Sequence, residues 1–586
     1  MNASTRSSNG SFAGRLTQLF LLVLLLVSAG IIAFTVLLYV EGYDEFCRFL
    51  LSRLGKLHKE AEFKAQFLTA SKFSFIRLAL LTGSVLSIGI SLLAIRRRKA
   101  IRAMIRAAVQ ALKDQYTFLA SQEKFTRLGL LAIIVLQVIL FSCCAYSFPV
   151  SYDEAWTYLN FTSKSVLTSA SYYPAPNNHI FFSILTNISN LLPIHDPKIG
   201  MRLVNICCSV LSSLLLFKLL RRFYSGRIAL YTLVLFTFSY PVALYSIQAR
   251  GYELVLLFSL AASYAVIANL SAPRKRYAWL YVISIVLGFY TMPSFLYFFV
   301  SVGLYVLLNT IITKRIPALR SFILLNVIVC ILTAILYVPV ILISGLDSIT
   351  HNGYVKPIPF TEVLSRIPGH FSQTADWFFA VPASGIFLFF ALWMGTLILS
   401  RKEEDQAIRQ FNFFALLLLL LPPFILLLHK VIPFERTWIY LAVPLAAIIA
   451  YLLNAVAERF LRKRTIHPAA FAGIATLTVI LMFSRFVSNY KAAHQIDYQS
   501  AALFAGKPFI NNIHSIASSE VLSSDLLTYE ISRVSTQQVS TVRIFEHVPV
   551  SSDAIIFHND SIRSIPNINE FRLIAKNSFI TFYIRK

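Results

Sequence analysis

The sequence predicts an all-α polytopic membrane protein, with about thirteen transmembrane helices and a small α/β domain at its C-terminal end. Three observations carry that expectation. Of 586 residues, 57% are hydrophobic and 14% charged, whereas soluble domains carry about 25% charged residues. A mean hydropathy of +0.68 leaves too little polar surface to cover one large soluble core. The apolar residues also fall in long blocks between short basic islands, and each block approaches the roughly 20 residues that cross hydrocarbon.

Residues 1–127 read as an N-terminal extension with two spans, near 16–40 and 73–94. Arg6 and Arg15 precede the first apolar run, as in a signal peptide. That run continues to Val40, well beyond an h-region of about 7–15 residues, so a retained anchor is expected. Residues 95–127 are basic and amphipathic, the pattern of a helix lying on the cytoplasmic lipid surface. Residues 128–486 hold the other spans, near 128–149, 199–220, 228–247, 251–270, 277–290, 292–312, 321–344, 379–400, 411–430, 436–457 and 468–486. The stretch 277–290 is short and nearly continuous with the next. After Phe486 the composition turns polar. Runs at 541–545, 554–557 and 579–584 read as strands between turn residues, so 487–586 is expected as an extracytoplasmic α/β domain.

Orientation follows from the basic islands. These are Arg96, Arg97, Arg98, Lys99, Arg102 and Arg106; Arg221, Arg222 and Arg227; Arg274, Lys275 and Arg276; Lys314 and Arg315; and Arg459, Arg462, Lys463 and Arg464. With thirteen spans and a cytoplasmic N-terminus, every cluster falls inside, as cytoplasmic loops favour. Residues 150–198, 345–378, 429–435 and the C-terminal domain then fall outside. The expected place is the cell (inner) membrane, with the lipid bilayer as partner. The net charge of +26 is accounted for by span ends and anionic headgroups; no nucleic-acid partner is expected, because the basic residues do not gather on one soluble face. The six cysteines have no spacing of a zinc site or a disulfide framework.

The informative segment is the first outer loop, 150–198, which opens Ser151-Tyr152-Asp153-Glu154-Ala155-Trp156 directly after a span. Two adjacent carboxylates beside anionic headgroups are unfavourable unless something uses them. A carboxylate there can serve as general base towards a hydroxyl or ligate a metal; the bland alternative is a solvated helix cap. The loop continues Tyr172-Tyr173-Pro174-Ala175-Pro176-Asn177-Asn178-His179 and re-enters the interface at Ile180. Arg202 opens the next span, Gln248-Ala249-Arg250-Gly251-Tyr252-Glu253 forms an outer turn, and Pro433-Phe434-Glu435-Arg436-Thr437-Trp438 forms another. Arg250 and Arg436 stand on the outer side against the charge trend. An arginine fork at the membrane boundary suits a phosphate. Arg202 and Arg250 as headgroup anchors, Glu435 paired only with Arg436, and His179 as a plain interfacial residue are the competing structural readings.

In this order and sidedness the chain resembles the glycosyltransferase-C superfamily, in the branch of the protein O-mannosyltransferases and the lipid A aminoarabinose transferase (glycosyltransferase family 39-like). The resemblance covers roughly residues 128–486. It implies inverting transfer of a sugar from a polyprenyl-phosphate donor to a glycan, lipid or protein acceptor in the cell envelope. By that resemblance Asp153 is the base and Glu154 helps hold donor or acceptor. Arg250 contacts the lipid phosphate, and His179 or Asn178 belongs to the loop's second polar motif. Tyr252, Glu435 and Arg436 complete the expected substrate site, with Arg202. Members of that group often carry Lys or Pro-Pro where this chain has Asn177-Asn178-His179. No cofactor is called for, and a divalent cation stays open, although Asp153 and Glu154 alone make a poor cage for one. The rivals are a transporter or flippase for a lipid-linked glycan, which would place ionisable residues deep in its spans, and a non-catalytic scaffold with the same fold.

Overall fold

The computed structural model describes residues 3–54, 57, 60–350, 356–461, 467–504, 512–518, 521–534, 539–543, 552–559 and 568–586. Among these, ten helices are long and apolar enough to cross a membrane. Gly226–Thr237 and Tyr240–Ile247 are apolar and long enough only as a pair, bent by 64° at the break between them, and bring the number to eleven when read as one broken span. The bend falls where Pro241 enters the first turn of the second half, because proline starts a helix easily but cannot continue one.

The two remaining expected spans are shorter helices. Lys275–Thr291 has 17 residues and stops at Met292, which is extended before Pro293, as the residue preceding a proline prefers. Gly385–Ser400 has 16 residues. It is held back by a tight turn in which Ala380 and Ala383 take positive φ. The Asp376 carboxylate accepts the N–H groups of Ala383 (2.9 Å) and Gly385 (2.7 Å) and so fastens the turn. The segment 345–378, expected outside, carries the helix Phe360–Phe379 through most of its described residues. Arg462, Lys463 and Arg464 of the last basic cluster lie outside the described residues.

The chain divides into two compact units, Met1–Leu128 and Gly129–Lys586. In the first, helices Ala3–Val40 and Ala70–Arg96 pack through hydroxyl pairs, Ser28 with Ser91 and Thr35 with Ser84, each at 2.9 Å. Small polar residues allow two apolar helices to approach closely and add hydrogen bonds across the seam. The basic helix Arg98–Ala120 follows, with Arg98, Lys99, Arg102 and Arg106 exposed. In the intervening segment Lys64 bridges Asp44 (2.6 Å) and Glu60 (2.5 Å).

The second unit holds the other spans, the loop 150–198 and the C-terminal sheet. Strands β1 (Ser515–Ser518), β2 (Ser540–Arg543), β3 (Ala554–His558), β4 (Phe571–Lys576) and β5 (Ile580–Arg585) stand in the order β2-β1-β3-β5-β4. β1 pairs in parallel with β2 and β3, while β5 runs antiparallel to β3 and β4. Helix Val521–Val534 connects β1 to β2, so the domain is mixed α/β. The expected strands at 541–545, 554–557 and 579–584 correspond to β2, β3 and β5; residues 544 and 545 lie outside the described residues. The sheet does not stand apart from the spans. Val150, Ala155, Tyr158 and Phe182 of the loop 150–198 share one apolar core with Ile516, Leu527, Tyr529, Ala554 and Phe582, which seats the C-terminal domain on that loop.

Candidate active site

A short helix, Tyr152–Thr157, begins just after the span Lys124–Ser147. Ser151 caps it, donating its backbone N–H to Glu154 Oε2 at 2.9 Å. This capping-box geometry folds the acid at the third helical position back over the helix start and so turns Glu154 inward. Asp153, one residue earlier and about 100° around the helix, faces a different direction.

Glu154 is fully buried. Arg202, 1% exposed within the span Pro197–Leu220, grips it with two bonds, Nε to Oε1 at 2.8 Å and a terminal nitrogen to Oε2 at 2.6 Å. The other Arg202 donors go to the carbonyls of Ala145 (2.8 Å), Phe148 (3.0 Å) and Pro149 (2.7 Å). All five guanidinium N–H groups therefore have acceptors. The Ala249 N–H also donates to Glu154 Oε1 at 2.7 Å. Burial alone would raise the Glu154 carboxyl, but the Arg202 guanidinium and the Ser151 and Ala249 amides outweigh it and hold the group below its usual range.

The turn Gln248–Gly251 is fixed from three sides. Asn205 donates to the carbonyls of Gln248 and Arg250, the latter at 2.9 Å. The Gln248 amide donates to Ser151 Oγ at 2.9 Å. The Gly251 N–H donates to His179 Nδ1 at 2.8 Å. A Cβ on Gly251 would lie 2.7 Å from His179 Cβ and 2.9 Å from Thr291 Cγ2, so this approach of ring to backbone requires glycine. Because Nδ1 accepts, the neutral ring carries its proton on Nε2. Burial, then Arg250 and Arg436, keep the His179 pKa well below the ordinary value.

Together these elements wall a cavity of about 500 Å³ lined by Asp153, His179, Arg250, Tyr252 and Arg436, with Trp156, Tyr173 and Tyr297 as aromatic sides. Asp153 keeps 30% of its side chain exposed, with Oδ2 3.9 Å from the Arg250 guanidinium. Arg250 is 2% exposed, donates to Thr157 Oγ1 at 3.1 Å and to the Asp153 carbonyl at 3.3 Å, and stands 3.5 Å from His179 Nε2. Arg436 lies over the Phe434 ring at 4.2 Å and near Tyr252 at 6.0 Å. The Nε atoms of Arg250 and Arg436 are buried and lack a hydrogen-bond partner among the described residues. Two guanidinium groups facing one carboxylate leave the cavity a net cation with open donors, the electrostatics of an anion site. Asp153 adds a partly solvated carboxylate able to take a proton.

The expected site residues therefore separate. Asp153, His179, Arg250, Tyr252 and Arg436 meet at the cavity; Glu154, Asn178, Arg202 and Glu435 do not line it. Asn178 is a strut, donating to the carbonyls of Ser169 (3.0 Å) and Tyr172 (2.9 Å) and accepting from Ser183 (2.9 Å). Glu435 lines a separate groove beside His370. The pair Tyr297–His429, hydroxyl to Nδ1 at 2.8 Å, also borders the cavity and was missed from the sequence. A histidine closing a span just before an outer turn was the available signal. Among the described residues no three His, Cys, Asp or Glu side chains gather as metal ligands.

A family model described as dolichyl-phosphate-mannose-protein mannosyltransferase matches residues 180–336. No curated protein sequence matches the chain significantly. Among solved structures, apo ArnT from Cupriavidus metallidurans aligns with a TM-score of 0.50 at 10% identity, covering 78% of this chain and 97% of that one. The same protein bound to undecaprenyl phosphate gives 0.49 at 12% identity, covering 78% and 98%. The archaeal oligosaccharyltransferase AglB from Archaeoglobus fulgidus, in complex with an inhibitory peptide and a dolichol-phosphate, gives 0.38 at 13% identity, covering 71% and 65%. The chain shares the ArnT fold, and the resemblance to the glycosyltransferase-C superfamily read from its residues is borne out.

Proposed function

We propose that this chain is an inverting membrane glycosyltransferase of the cell envelope, moving a sugar from a polyprenyl-phosphate carrier to an acceptor hydroxyl on the extracytoplasmic face. One observation carries the reading: a carboxylate with solvent access shares a cavity with a buried and a half-buried guanidinium group, Arg250 and Arg436, whose buried Nε donors are unmet among the described residues. The matched family description names a lipid-phosphate sugar donor, and the basic islands at the opposite span ends support an outward-facing site.

In the proposed step Asp153 accepts the proton of the acceptor hydroxyl as that oxygen attacks the anomeric carbon. The bond from that carbon to the phosphate oxygen breaks, and the electron pair leaves with the carrier phosphate, which becomes a monoester with one more negative charge. Arg250 and Arg436 stabilise that growing charge, and the Nε2–H of neutral His179 supplies a further donor. Tyr252 helps hold Arg436 in place, its ring 6.0 Å from the guanidinium carbon. Glu154 and Arg202 act at one remove by locking the Asp153 helix to the Gln248–Gly251 turn. The segment around Ile349 and Thr350, which reaches the cavity, excludes water that would otherwise hydrolyse the donor.

The test is mass spectrometry of envelope lipids and glycans from a deletion strain. One sugar should be missing and a carrier-linked precursor accumulated. The wild-type chain should restore the profile, and Asp153→Asn should not. An unchanged profile on deletion, or full restoration by Asp153→Asn, would overturn the assignment.

A further inference from the structure

Pro433 and Phe434 line both the cavity and a groove of about 430 Å³ on which Glu435 stands. Helix Phe360–Phe379 gives the groove Arg366, His370 and Gln373. The two hollows differ in charge. Arg250 and Arg436 make the cavity cationic, whereas Arg366 in the groove is paired with Glu362 at 2.5 Å. The half-buried Glu435 carboxylate makes no hydrogen bond or ion pair among the described residues. A phosphate suits the first hollow and is repelled from the second.

The polar groups of the groove are of mixed kind. The Trp438 indole N–H donates to His370 Nε2 at 2.8 Å. Because an indole nitrogen only donates, the His370 ring is neutral and carries its proton on Nδ1. That ring is 6% exposed, and its Nδ1 makes no hydrogen bond among the described residues. Glu435 therefore offers acceptors, His370 a donor and the exposed Gln373 amide one of each kind. Beside them the Phe434 ring is 49% exposed. A sugar has the matching double character, with hydroxyls that donate and accept and a face of C–H groups that rests on an aromatic ring. An extended peptide would instead seek a strand edge, and the groove is walled by a helix and a proline-containing loop.

The groove is also tied to the cavity. Trp438 is fully buried and packs on Tyr297 at 4.9 Å, and the Tyr297–His429 pair borders the cavity. His370 in the groove and His429 at the cavity are thus the two ends of one chain of contacts.

We propose that this groove is a saccharide subsite that receives the acceptor, so that the acceptor is a neutral glycan. Glu435 and Gln373 bind its hydroxyls, His370 Nδ1–H donates to one of them, and its C–H face lies on Phe434. The inference rests on the functional reading above only in calling the glycan an acceptor; its binding in the groove is independent of transfer.

The test uses the full-length protein in lipid nanodiscs, free of sugar-based detergent, and hydrogen–deuterium exchange of peptides spanning 364–374. The probes are the neutral oligosaccharide, peptide and lipid fractions from the envelope of the deletion strain, and undecaprenyl phosphate. The oligosaccharides should slow exchange in 364–374. The concentration giving half protection should rise about tenfold in Glu435→Ala and about fivefold in Gln373→Ala. In both variants undecaprenyl phosphate should still protect 248–254, around Arg250, at the wild-type concentration. Protection of 364–374 by the peptide or lipid fraction and not by the oligosaccharides, protection by none of them, or wild-type oligosaccharide affinity in either variant overturns the proposal. If Glu435→Ala does not accumulate as folded protein, Gln373→Ala, at an exposed helix position, decides alone. Oligosaccharide protection of 364–374 without protection of 248–254 by undecaprenyl phosphate refutes the functional reading and leaves the subsite standing.

Discussion

Two acid–arginine pairs stand side by side at the start of the loop 150–198 and are used in opposite ways. Glu154 and Arg202 are buried, doubly bonded and saturated by backbone groups. Asp153 and Arg250 stand 3.9 Å apart, one partly exposed and the other with an unmet Nε. The first pair fixes geometry and has no capacity for a ligand. The second is incomplete, and in the proposed reading a ligand completes it. Adjacent residues of the same charge thus divide structure from chemistry, and the divider is the Ser151 cap, which turns one inward and leaves the other facing the cavity.

The contrast is sharpest in the two acids. Asp153→Asn should cut transfer at least about a hundredfold, as loss of a general base does, with the melting temperature unchanged. Glu154→Ala should instead cost about 3–5 kcal/mol of stability by stranding the Arg202 guanidinium without its counter-charge; thermal unfolding in detergent reads it. If both variants lost activity at equal stability, the division drawn here would fail.

Arg250→Ala is the next smaller effect. It should weaken use of the lipid donor about tenfold, the scale of one charge-assisted contact, with a much smaller change for the acceptor. Equal changes for donor and acceptor would make Arg250 an anchor like Arg202.

The smallest effect is in pH. The folded His179 pKa lies well below the ordinary value, so the ring is neutral in both states above about pH 6.5 and its site contributes full stability there. As pH falls below that, the unfolded chain takes up a proton that the folded chain refuses, and stability drops. Glu154 acts later, since its depressed pKa removes stability only as pH falls below about 4.3. His179→Gln should therefore flatten the melting-temperature slope between about pH 6.5 and 5 relative to wild type; an unchanged slope would mean the ring is charged.

Much of this was legible in the residues. Apolar blocks located the helices, and Arg250 and Arg436 stood out because they broke the charge asymmetry. The breaks were less legible: Met292 before Pro293 and the Asp376-fastened turn shorten two expected spans through backbone geometry that hydropathy does not register. The roles within the Asp-Glu pair were illegible for a related reason. Glu154 is decided by Arg202, 48 positions away, and nothing local announces that partner. Tyr297 and His429 are separated by 132 positions, and either alone reads as an interfacial residue.

The saturation of Arg202 also limits where this sequence can drift. Lysine would keep the charge but gather its donors on a single atom, too few and too close together to serve the carbonyls of three residues and both oxygens of Glu154. An exchange that looks conservative on paper would leave buried carbonyls without donors at the joint where the loop 150–198 begins. Position 202 tolerates a shape, not merely a sign.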